Sequence, residues 1–364
     1  MRSKDVSRRD HWTLSLCLLR IGLAALVCAS AAGCGTSLSM LPSVSTKAAP
    51  GVPGGAILGY IWSSSDSTLR PLLGVSGSAQ VGQSIVPAGA YVSGAASAAS
   101  GLGLVEDGKG NLFLLDLPSA QPTLVAAPVP SPAQIAFSPS GGVAIAYAHG
   151  GTGITLISGL TAQPSATQLG LPSGVKLGSA IVSDAGTILV AIQATPVAIE
   201  VLSSAGQLSP LTTVTQAGGM SFLRGVDDAL VADRSQNTLS LLNNVSGSLA
   251  VQALSAPGIN QPLAVAGAGD GRWAVVANGG DKNILRIDLK NGAAPSKLPC
   301  SCQPNQLSAL SGSGSFRLND LGNGPVWTVD VSGSTPQLLF VPAVPLAAQS
   351  TTTLSIASKA SLLH

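Results

Sequence analysis

The chain has 364 residues, of which 45% are hydrophobic and only 9% are charged, against about 25% charged residues in an average globular protein. Residues 1–33 hold five of the 18 basic and two of the 16 acidic residues, so the remainder has a net charge near −1. The lack of a basic stripe excludes an electrostatic nucleic-acid interface. The high apolar content excludes wholesale disorder.

The N-terminus has the layout of a secretory signal peptide. Four basic residues among the first nine precede an apolar run over 21–27, and small residues follow up to Cys34. The run is shorter than the ~20 residues that a membrane-spanning helix needs. Ala31-Ala-Gly-Cys34 resembles a lipobox, in which the cysteine is lipidated and becomes the first residue; ordinary cleavage after Ala31 or Ala32 is the alternative.

We therefore expect residues 1–33 to be removed as a signal peptide. The protein is then expected in the periplasm, or at the outer membrane or cell surface, as a lipoprotein anchored through Cys34; secretion as a soluble protein is the alternative. Residues 34–54 are rich in Ser, Pro, Ala and Gly, a composition typical of a flexible tether. Residues 55–364 form a single predicted domain.

One residue separates Cys300 from Cys302 within this domain. An oxidising compartment permits a disulfide between them, and two free thiols are the alternative. A zinc site is disfavoured, because no second Cys or His pair completes a set of four ligands.

Similar segments recur along the domain about every 42 residues. The clearest copies are VANGGDKNILRID, over 276–288, and VADRSQNTLSLL, over 231–242. Each unit begins with a short apolar run such as Gln134–Phe137, continues through two further runs separated by polar turns, and ends with a fourth run such as Gln337–Phe340. The aligned turn positions of the six copies are Asp107, His149, Ala194, Asp233, Asn278 and Asp320.

Four short strands per unit at this period predict an all-β fold, a β-propeller of four-stranded antiparallel blades. A β-helix is the alternative, although its repeats are usually shorter. Six complete units span 88–342. Ala56–Trp62 and Leu69–Leu73 are predicted as the third and fourth strands of a further blade, with Thr352–Ala357 as its inner strand. Seven blades, in a ring closed by N- and C-terminal strands, are thus favoured over six.

The segments at 231–245 and 274–290 resemble the YVTN-type β-propeller repeat. The core of that repeat is a Tyr-Val-Ala-Asn sequence, a polar turn and a Val-Ser-Val-Ile-Asp strand. The resemblance covers most of 88–342, and the units near 191 and 318 depart from it. It implies an exported bacterial propeller that serves binding or scaffolding; related propellers include lactonase-like and quinoprotein-like proteins.

The turns between second and third strands are expected to emerge on one face of the ring, around the channel mouth. Polar groups that converge on a concave mouth are the usual form of a binding site, whereas turns are also polar simply because they face water. The candidate binding residues at these turns are Glu106, Asp107, His149, Gln193, Asp233, Arg234, Asn278, Asp281, Lys282, Asn319 and Asp320.

Groups for catalysis are sparse. After the signal peptide the chain has two histidines, His149 and His364, and no metalloprotease, nucleophile-elbow or phosphate-loop motif. Glu106–Asn111 faintly resembles a calcium loop but has no distal glutamate. We predict no catalytic residue, metal or cofactor, and we expect Trp62, Trp273 and Trp327 to lie in strands, in the core or between blades.

These observations favour a monomeric, non-enzymatic binding or scaffold protein of the cell envelope. Its partner would be a protein or a small molecule, with membrane contact through the lipid anchor only. The alternative is an exported lactonase-like hydrolase that uses Asp107, Asp233 and Asp320 at the channel mouth. A quinone-dependent dehydrogenase is a third possibility, disfavoured by the scarcity of Trp and of basic residues at the mouth.

The lipobox interpretation predicts that cells expressing the full chain incorporate labelled palmitate into the protein and that the Cys34→Ala variant does not. Removal of the only thiol at the cleavage site eliminates the acceptor. Cys28→Ala, within the signal peptide, is the matched control and should label normally. Labelling that persists in Cys34→Ala would contradict lipidation at this residue.

Overall fold

The computed structural model describes residues 55–254, 256–322 and 324–343. These residues form seven antiparallel β-sheets. No helix occurs in these ranges, so none there could cross a membrane. The predicted signal peptide and tether, Cys34 and the predicted strand Thr352–Ala357 lie outside the described residues.

The sheets are numbered here as blades 1 to 7 in chain order. Blade 1 contains β1 (Ile57–Ser63), β2 (Thr68–Val75) and β3 (Ser78–Val81). Blade 2 contains β4 (Ser93–Ser97), β5 (Leu102–Glu106), β6 (Leu112–Asp116) and β7 (Gln121–Ala126). Blade 3 contains β8 (Gln134–Phe137), β9 (Ala144–Tyr147), β10 (Gly153–Ser158) and β11 (Ser165–Gly170). Blade 4 contains β12 (Leu177–Val182), β13 (Ile188–Ile192), β14 (Val197–Leu202) and β15 (Leu208–Val214).

Blade 5 contains β16 (Ala217–Phe222), β17 (Ala229–Asp233), β18 (Thr238–Asn243) and β19 (Ala250–Leu254). Blade 6 contains β20 (Pro262–Gly267), β21 (Trp273–Asn278), β22 (Asn283–Asp288) and β23 (Ser296–Pro299). Blade 7 contains β24 (Ser308–Ala309), β25 (Ser315–Arg317), β26 (Val326–Asp330) and β27 (Gln337–Val341). Each blade is a meander, because strands adjacent in sequence are adjacent in the sheet.

In blades 2 to 7 the first strand is the inner strand and the fourth is the outer strand. The first turn of a blade joins its inner and second strands, and the second turn joins its second and third strands. Since consecutive strands are antiparallel, first and second turns lie at opposite ends of each blade. The ring therefore has a first-turn face and a second-turn face.

The second strands are buried along their whole length in most blades, as in β5, β9, β13 and β17. Successive side chains of a strand point to opposite faces of the sheet. Leu189 accordingly packs in a cluster shared with blade 5, whereas Val190 packs in a cluster shared with blade 3. These strands are apolar on both faces because each face meets a neighbouring blade.

Seven such clusters of buried side chains join the seven blades. Five join successive pairs from blade 2 to blade 7, and one joins blade 1 to blade 2 through residues that include Leu69 and Val105. The seventh joins blade 7 to blade 1, where Ile61 and Leu72 pack with Val326. The ring is thus closed, and the prediction of a seven-bladed β-propeller is confirmed.

Blade 1 differs from the prediction. Ala56–Trp62 and Leu69–Leu73 correspond to β1 and β2, but the short strand β3 follows them on the outer side, so they are not the third and fourth strands. β3 is an outer strand, because it lines the same surface groove as β27, the outer strand of blade 7. The sequence pattern missed β3 because it has four residues and follows two glycines with positive φ, Gly74 and Gly77.

The aligned turn positions also need correction. In blade 1, β1 takes the position of a second strand, because β2 and β3 follow it outwards. The residue four places after the end of the second strand has a positive φ in four blades: Ser67, Gly110, Asn237 and Lys282. Counting back from these residues, the equivalent strand ends are Ser63, Glu106, Asp233 and Asn278. Asp107 is therefore one residue out of register with Asp233, and the predicted equivalence of Asp107 and Asp320 with Asp233 is wrong.

The three tryptophans lie in strands, as predicted. Trp62 packs against Gly94 of blade 2, where a Cβ would lie 2.6 Å from the indole ring. The guanidinium carbons of Arg272 and Arg286 lie 4.2 and 4.1 Å from the centre of the Trp273 ring. Trp327 contacts Phe340, with 5.7 Å between ring centres.

The closed ring predicts that Leu72→Ala, in the cluster between blades 1 and 7, lowers the free energy of unfolding by about 2–5 kcal/mol. Leu72 has no exposed surface, so the truncation leaves a void that the neighbouring blades cannot fill. Leu124→Ala is the matched control, because Leu124 is 57% exposed on an outer strand. Urea denaturation measures the free energy of unfolding of both variants. If both lost the same amount of stability, the packing of blade 1 against blade 7 would be contradicted.

Candidate functional site

The last residue of the second strand is polar and buried in five of the seven blades. These residues, called here the clamp residues, are Ser63, Glu106, Asp233, Asn278 and Arg317. They lie at the second-turn face, where the sequence predicts a binding site. A buried polar group needs a hydrogen-bond partner, or it costs about 1–3 kcal/mol. The partners of the clamp residues therefore reveal what they do.

Glu106 has no exposed surface, so it does not lie on a solvent-facing rim as predicted. Its Oε2 accepts hydrogen bonds from the Ser93 hydroxyl, at 3.1 Å, and from the backbone N–H of Ala133, at 3.3 Å. Ser93 starts the inner strand of its own blade, and Ala133 precedes the inner strand of blade 3. Glu106 therefore connects the starts of two neighbouring inner strands.

Asp233 holds the start of the inner strand within its own blade, blade 5. Its carboxylate accepts hydrogen bonds from the backbone N–H groups of Thr215 and Gln216, which lead into the inner strand, and of Gln236, in the second turn. Burial by itself raises the pKa of Asp233, but these hydrogen bonds to the charged form outweigh it, and the pKa lies below its usual range.

Asn278 completes the pattern in blade 6. It accepts a hydrogen bond from the backbone N–H of Asn260, at 3.1 Å, and donates to the carbonyl of Gly258 and to the side chain of Asn283, at 2.9 Å each. Asp281, in the second turn, forms an ion pair with Lys297 at 2.9 Å and also accepts from Asn260. The hydrogen bond from Lys297 is the main reason why the pKa of Asp281 is lowered.

In blade 7 the clamp residue is a cation. Arg317 donates to Asp320 at 3.1 Å, to the carbonyl of Asn319 at 2.9 Å and to the Ser308 hydroxyl at 3.2 Å. Asn319 also accepts from the backbone N–H of Trp327, at 2.7 Å. Asn319 and Asp320 thus fix the shape of their own turn.

His149 is exposed and Asp107 is half-buried, and both form hydrogen bonds. The Nδ1 of His149 lies 2.8 Å from the carbonyl of Gly178, and its Nε2 lies 2.9 Å from the side-chain nitrogen of Gln193, so it bridges blades 3 and 4. Asp107 accepts from the side chain and backbone of Asn111 and from the backbone N–H of Lys109. These bonds, led by the Asn111 side chain, lower the pKa of Asp107.

Apart from Arg234 and Lys282, whose side chains form no hydrogen bond to a described residue, the candidate side chains form hydrogen bonds within their own blade or to the adjacent one. Asp107, Asp233 and Asp320, the carboxylates of the hydrolase hypothesis, belong to three different blades, and each closes a different loop. Across the described ranges no three His, Cys, Asp or Glu side chains form a metal-binding group. The binding role predicted for the second-turn residues stays a prediction.

A cavity of about 350 Å³ lies where the inner strands meet. Blades 2 to 7 each contribute to its lining, and most of the lining side chains are apolar. One representative from each blade is Ala95, Phe137, Val182, Phe222, Val265 and Leu310. The polar lining consists of serine hydroxyls and one charged side chain, that of Arg224. An enclosed, mainly apolar volume with a few polar groups is the usual form of a small-molecule site.

This axial cavity reaches the first-turn face. Its lining from β12, β16 and β20 comes from the C-terminal part of each inner strand, and it continues into first-turn residues such as Pro139, Arg224 and Gly269. None of the candidate residues predicted at the second turns lines it. Sequence reasoning placed the site on the polar second turns and gave no weight to the serine-rich first turns.

Hydrogen bonds join the first turns around the cavity. The carboxylate of Asp184 accepts from the backbone N–H of Ser140, in blade 3, at 2.7 Å and from that of Gly225, in blade 5, at 2.9 Å. Burial by itself raises the pKa of Asp184, but the hydrogen bonds from these N–H groups have the larger effect, so the pKa lies below its usual range. Gly269 of blade 6 donates to the carbonyl of Ser313 of blade 7 at 2.6 Å. The cavity wall at this face is thus built before any ligand arrives.

A disulfide joins Cys300 and Cys302, with 5.0 Å between their Cα atoms. Both residues are buried in the cluster between blades 6 and 7. The bridge follows β23 and lies in the segment that leads to the inner strand of blade 7.

No protein-family model matches the chain, and no curated protein matches it significantly. Solved structures do match. A functionally unknown protein from Desulfotomaculum acetoxidans is 14% identical, with a TM-score of 0.54 over 79% of this chain and 100% of that one. The virginiamycin B lyase of Staphylococcus aureus is 13% identical, with a TM-score of 0.51 over 68% of this chain and 82% of the lyase.

AztD from Citrobacter koseri is a third match, 12% identical, with a TM-score of 0.52 over 79% of this chain and 82% of AztD. At these identities the similarities show a shared fold alone. They carry no residue roles over to this chain.

The clamp geometry predicts that Asp233→Ala lowers the free energy of unfolding at pH 7 by about 1–3 kcal/mol, because buried N–H groups lose their acceptor. The pKa of Asp233 is lowered in the folded protein, so its contribution to stability is fully present above the unfolded pKa of about 3.9 and is lost as the pH falls through the lower, folded pKa. The difference between wild type and variant should therefore shrink in acid.

Urea denaturation at neutral and acidic pH measures this difference. Asp116→Ala is the control, because the exposed Asp116 side chain has no hydrogen bond to a described residue. If Asp233→Ala lowered the free energy of unfolding by the same amount at neutral and at acidic pH, a role for the ionised carboxylate would be contradicted.

Proposed function

We propose that this protein is a non-enzymatic binding propeller of the bacterial cell envelope and that its ligand is a small molecule. The observation that carries the proposal is the axial cavity, a mainly apolar volume bounded by six inner strands and bordered by fixed first turns. Such a volume favours binding through burial of apolar surface, at roughly 25 cal/mol per Å².

The hydrogen bonds at the second-turn face support binding over hydrolysis. A general base must reach the proton that it abstracts, and a nucleophilic carboxylate must reach the substrate. The carboxylate of Asp233 already accepts five hydrogen bonds from its surroundings. Its lowered pKa also makes it a weaker base. These properties suit a residue that holds a loop in place.

The cellular location is part of the proposal. The N-terminal pattern of a basic region, a short apolar run and Cys34 supports export and lipid anchoring. The low charge of the chain suits an exported protein, and the repeats at 231–245 and 274–290 support a relationship to YVTN-type propellers, which are often exported.

A ligand screen on the purified domain, residues 34–364, tests the proposal. A set of esters, lactones and apolar carboxylic acids is added during thermal unfolding, and each compound is recovered and identified by mass spectrometry. At least one compound should raise the unfolding temperature and be recovered unchanged, because a ligand at about 100 times its Kd adds about 2.7 kcal/mol of stability.

Two outcomes would contradict the proposal. One is a screen in which no compound stabilises the protein. The other is protein-dependent hydrolysis of an ester or lactone that is lost in the double variant Asp107→Asn, Asp233→Asn, because that result would place a hydrolase site on the second-turn face.

A further inference from the structure

We infer that the axial cavity takes a small molecule with an apolar body and one anionic group and that the guanidinium of Arg224 binds the anion at the first-turn face. This inference rests on the proposed binding function, for which it names the site and the class of ligand.

The size and lining of the cavity set the apolar part of the ligand. About 350 Å³ falls at the lower end of the volumes that hold small ligands. Among the larger apolar lining residues, Phe137 and Met220 are partly exposed, whereas Phe222 and Leu310 are almost fully buried. Ala95 and Ala309 leave the space open that larger side chains would fill.

Arg224 supplies the charge. Among the described residues it is the only ionisable side chain in the cavity lining, and it follows β16 at the first turn of blade 5. Its guanidinium reaches towards blade 6, where a Cβ on Gly269 would lie 3.5 Å from Nη1. Arginine binds carboxylates, sulfonates and phosphates through paired N–H donors, which makes it well suited to a planar anion.

The guanidinium of Arg224 is not neutralised by the described residues. Neither a hydrogen bond nor an ion pair joins it to residues 55–254, 256–322 or 324–343. Other arginines of the ring are engaged: Arg272 pairs with Asp288, Arg317 with Asp320, and Arg286 donates to three carbonyls of blade 7.

Four carboxylates surround the first turns of blades 4 to 6, and none of them lines the cavity. Asp184 accepts from Ser140 and Gly225, and Asp270 accepts from the backbone N–H of Arg272. Asp227 accepts from the hydroxyl of Thr187, and Asp228 accepts from the backbone N–H of Asn244. An anion inside the cavity therefore meets Arg224 and serine hydroxyls. The four carboxylates would repel it, but each lies outside the lining and already accepts a hydrogen bond from neighbouring groups.

Two fluorescent probes with related apolar bodies separate the two parts of the inference. Anilinonaphthalene sulfonate carries an anion, whereas phenylnaphthylamine is neutral. The wild-type domain should bind both. Arg224→Gln should raise the Kd of the sulfonate about tenfold, as expected for the loss of a charged hydrogen bond, and leave the Kd of the neutral probe nearly unchanged. Arg224→Lys should retain most of the sulfonate affinity.

Further variants locate the probes. Ala309→Phe fills the cavity and should weaken both probes; Ala309 is exposed to the cavity, so the larger side chain enters open space rather than the packed core. Phe340→Ser removes an exposed aromatic ring in the outer groove between blades 1 and 7 and should change neither. Arg234→Gln removes a cation from the second-turn face and should also change neither.

Equal sulfonate affinity of wild type and Arg224→Gln would overturn the anion assignment, and unchanged binding to Ala309→Phe would overturn the cavity assignment. Failure of this inference is distinguishable from failure of the proposed function. If a compound from the ligand screen still stabilises Arg224→Gln and Ala309→Phe, the protein binds a ligand elsewhere. If no compound stabilises the wild type, both proposals fail.

Discussion

Each blade is stable only if both of its faces are covered, and this requirement governs the rest of the structure. Adjacent residues of a second strand, such as Val275 and Val276, contribute to clusters on opposite sides of the sheet. The ring satisfies the requirement for every blade at once, because the seventh cluster joins Val326 to Ile61. This explains how a chain with 3% aromatic residues builds a stable core from Leu, Val, Ile and Ala: the buried area is spread over seven flat interfaces.

Because this packing fills the faces of the blades with apolar side chains, the clamp residues form their hydrogen bonds at the ends of the strands. The clamp residues are buried because a second strand enters the interface along its whole length, and they are polar because the segments leading to inner strands carry backbone groups that need partners. Glu106, Asp233 and Asn278 meet this need with different chemistry, whereas Arg317 donates to the Ser308 hydroxyl. The charged cluster at 276–288 is thus one solution to a structural requirement that recurs around the ring.

The sequence predicted the fold through periodicity, but it did not locate the axial cavity. Alternating apolar runs and Gly or Asp turns were sufficient to locate the strands of blades 2 to 7, since local pattern determines them. They did not locate β3, which is short and polar, nor the register of the second turns, which depends on the positive φ of Ser67 and Lys282. The axial cavity could not be predicted, because Ala95, Met220, Leu310 and Arg224 meet only after the ring closes and no spacing in the sequence connects them.

A crystal structure of the domain with anilinonaphthalene sulfonate bound tests the central claim most directly. We expect the aromatic rings to lie against the inner strands of blades 2 to 7, with a sulfonate oxygen within hydrogen-bond distance of the Arg224 guanidinium. A probe bound at the second-turn face beside Asp233 and Asn278, with none in the axial cavity, would contradict it.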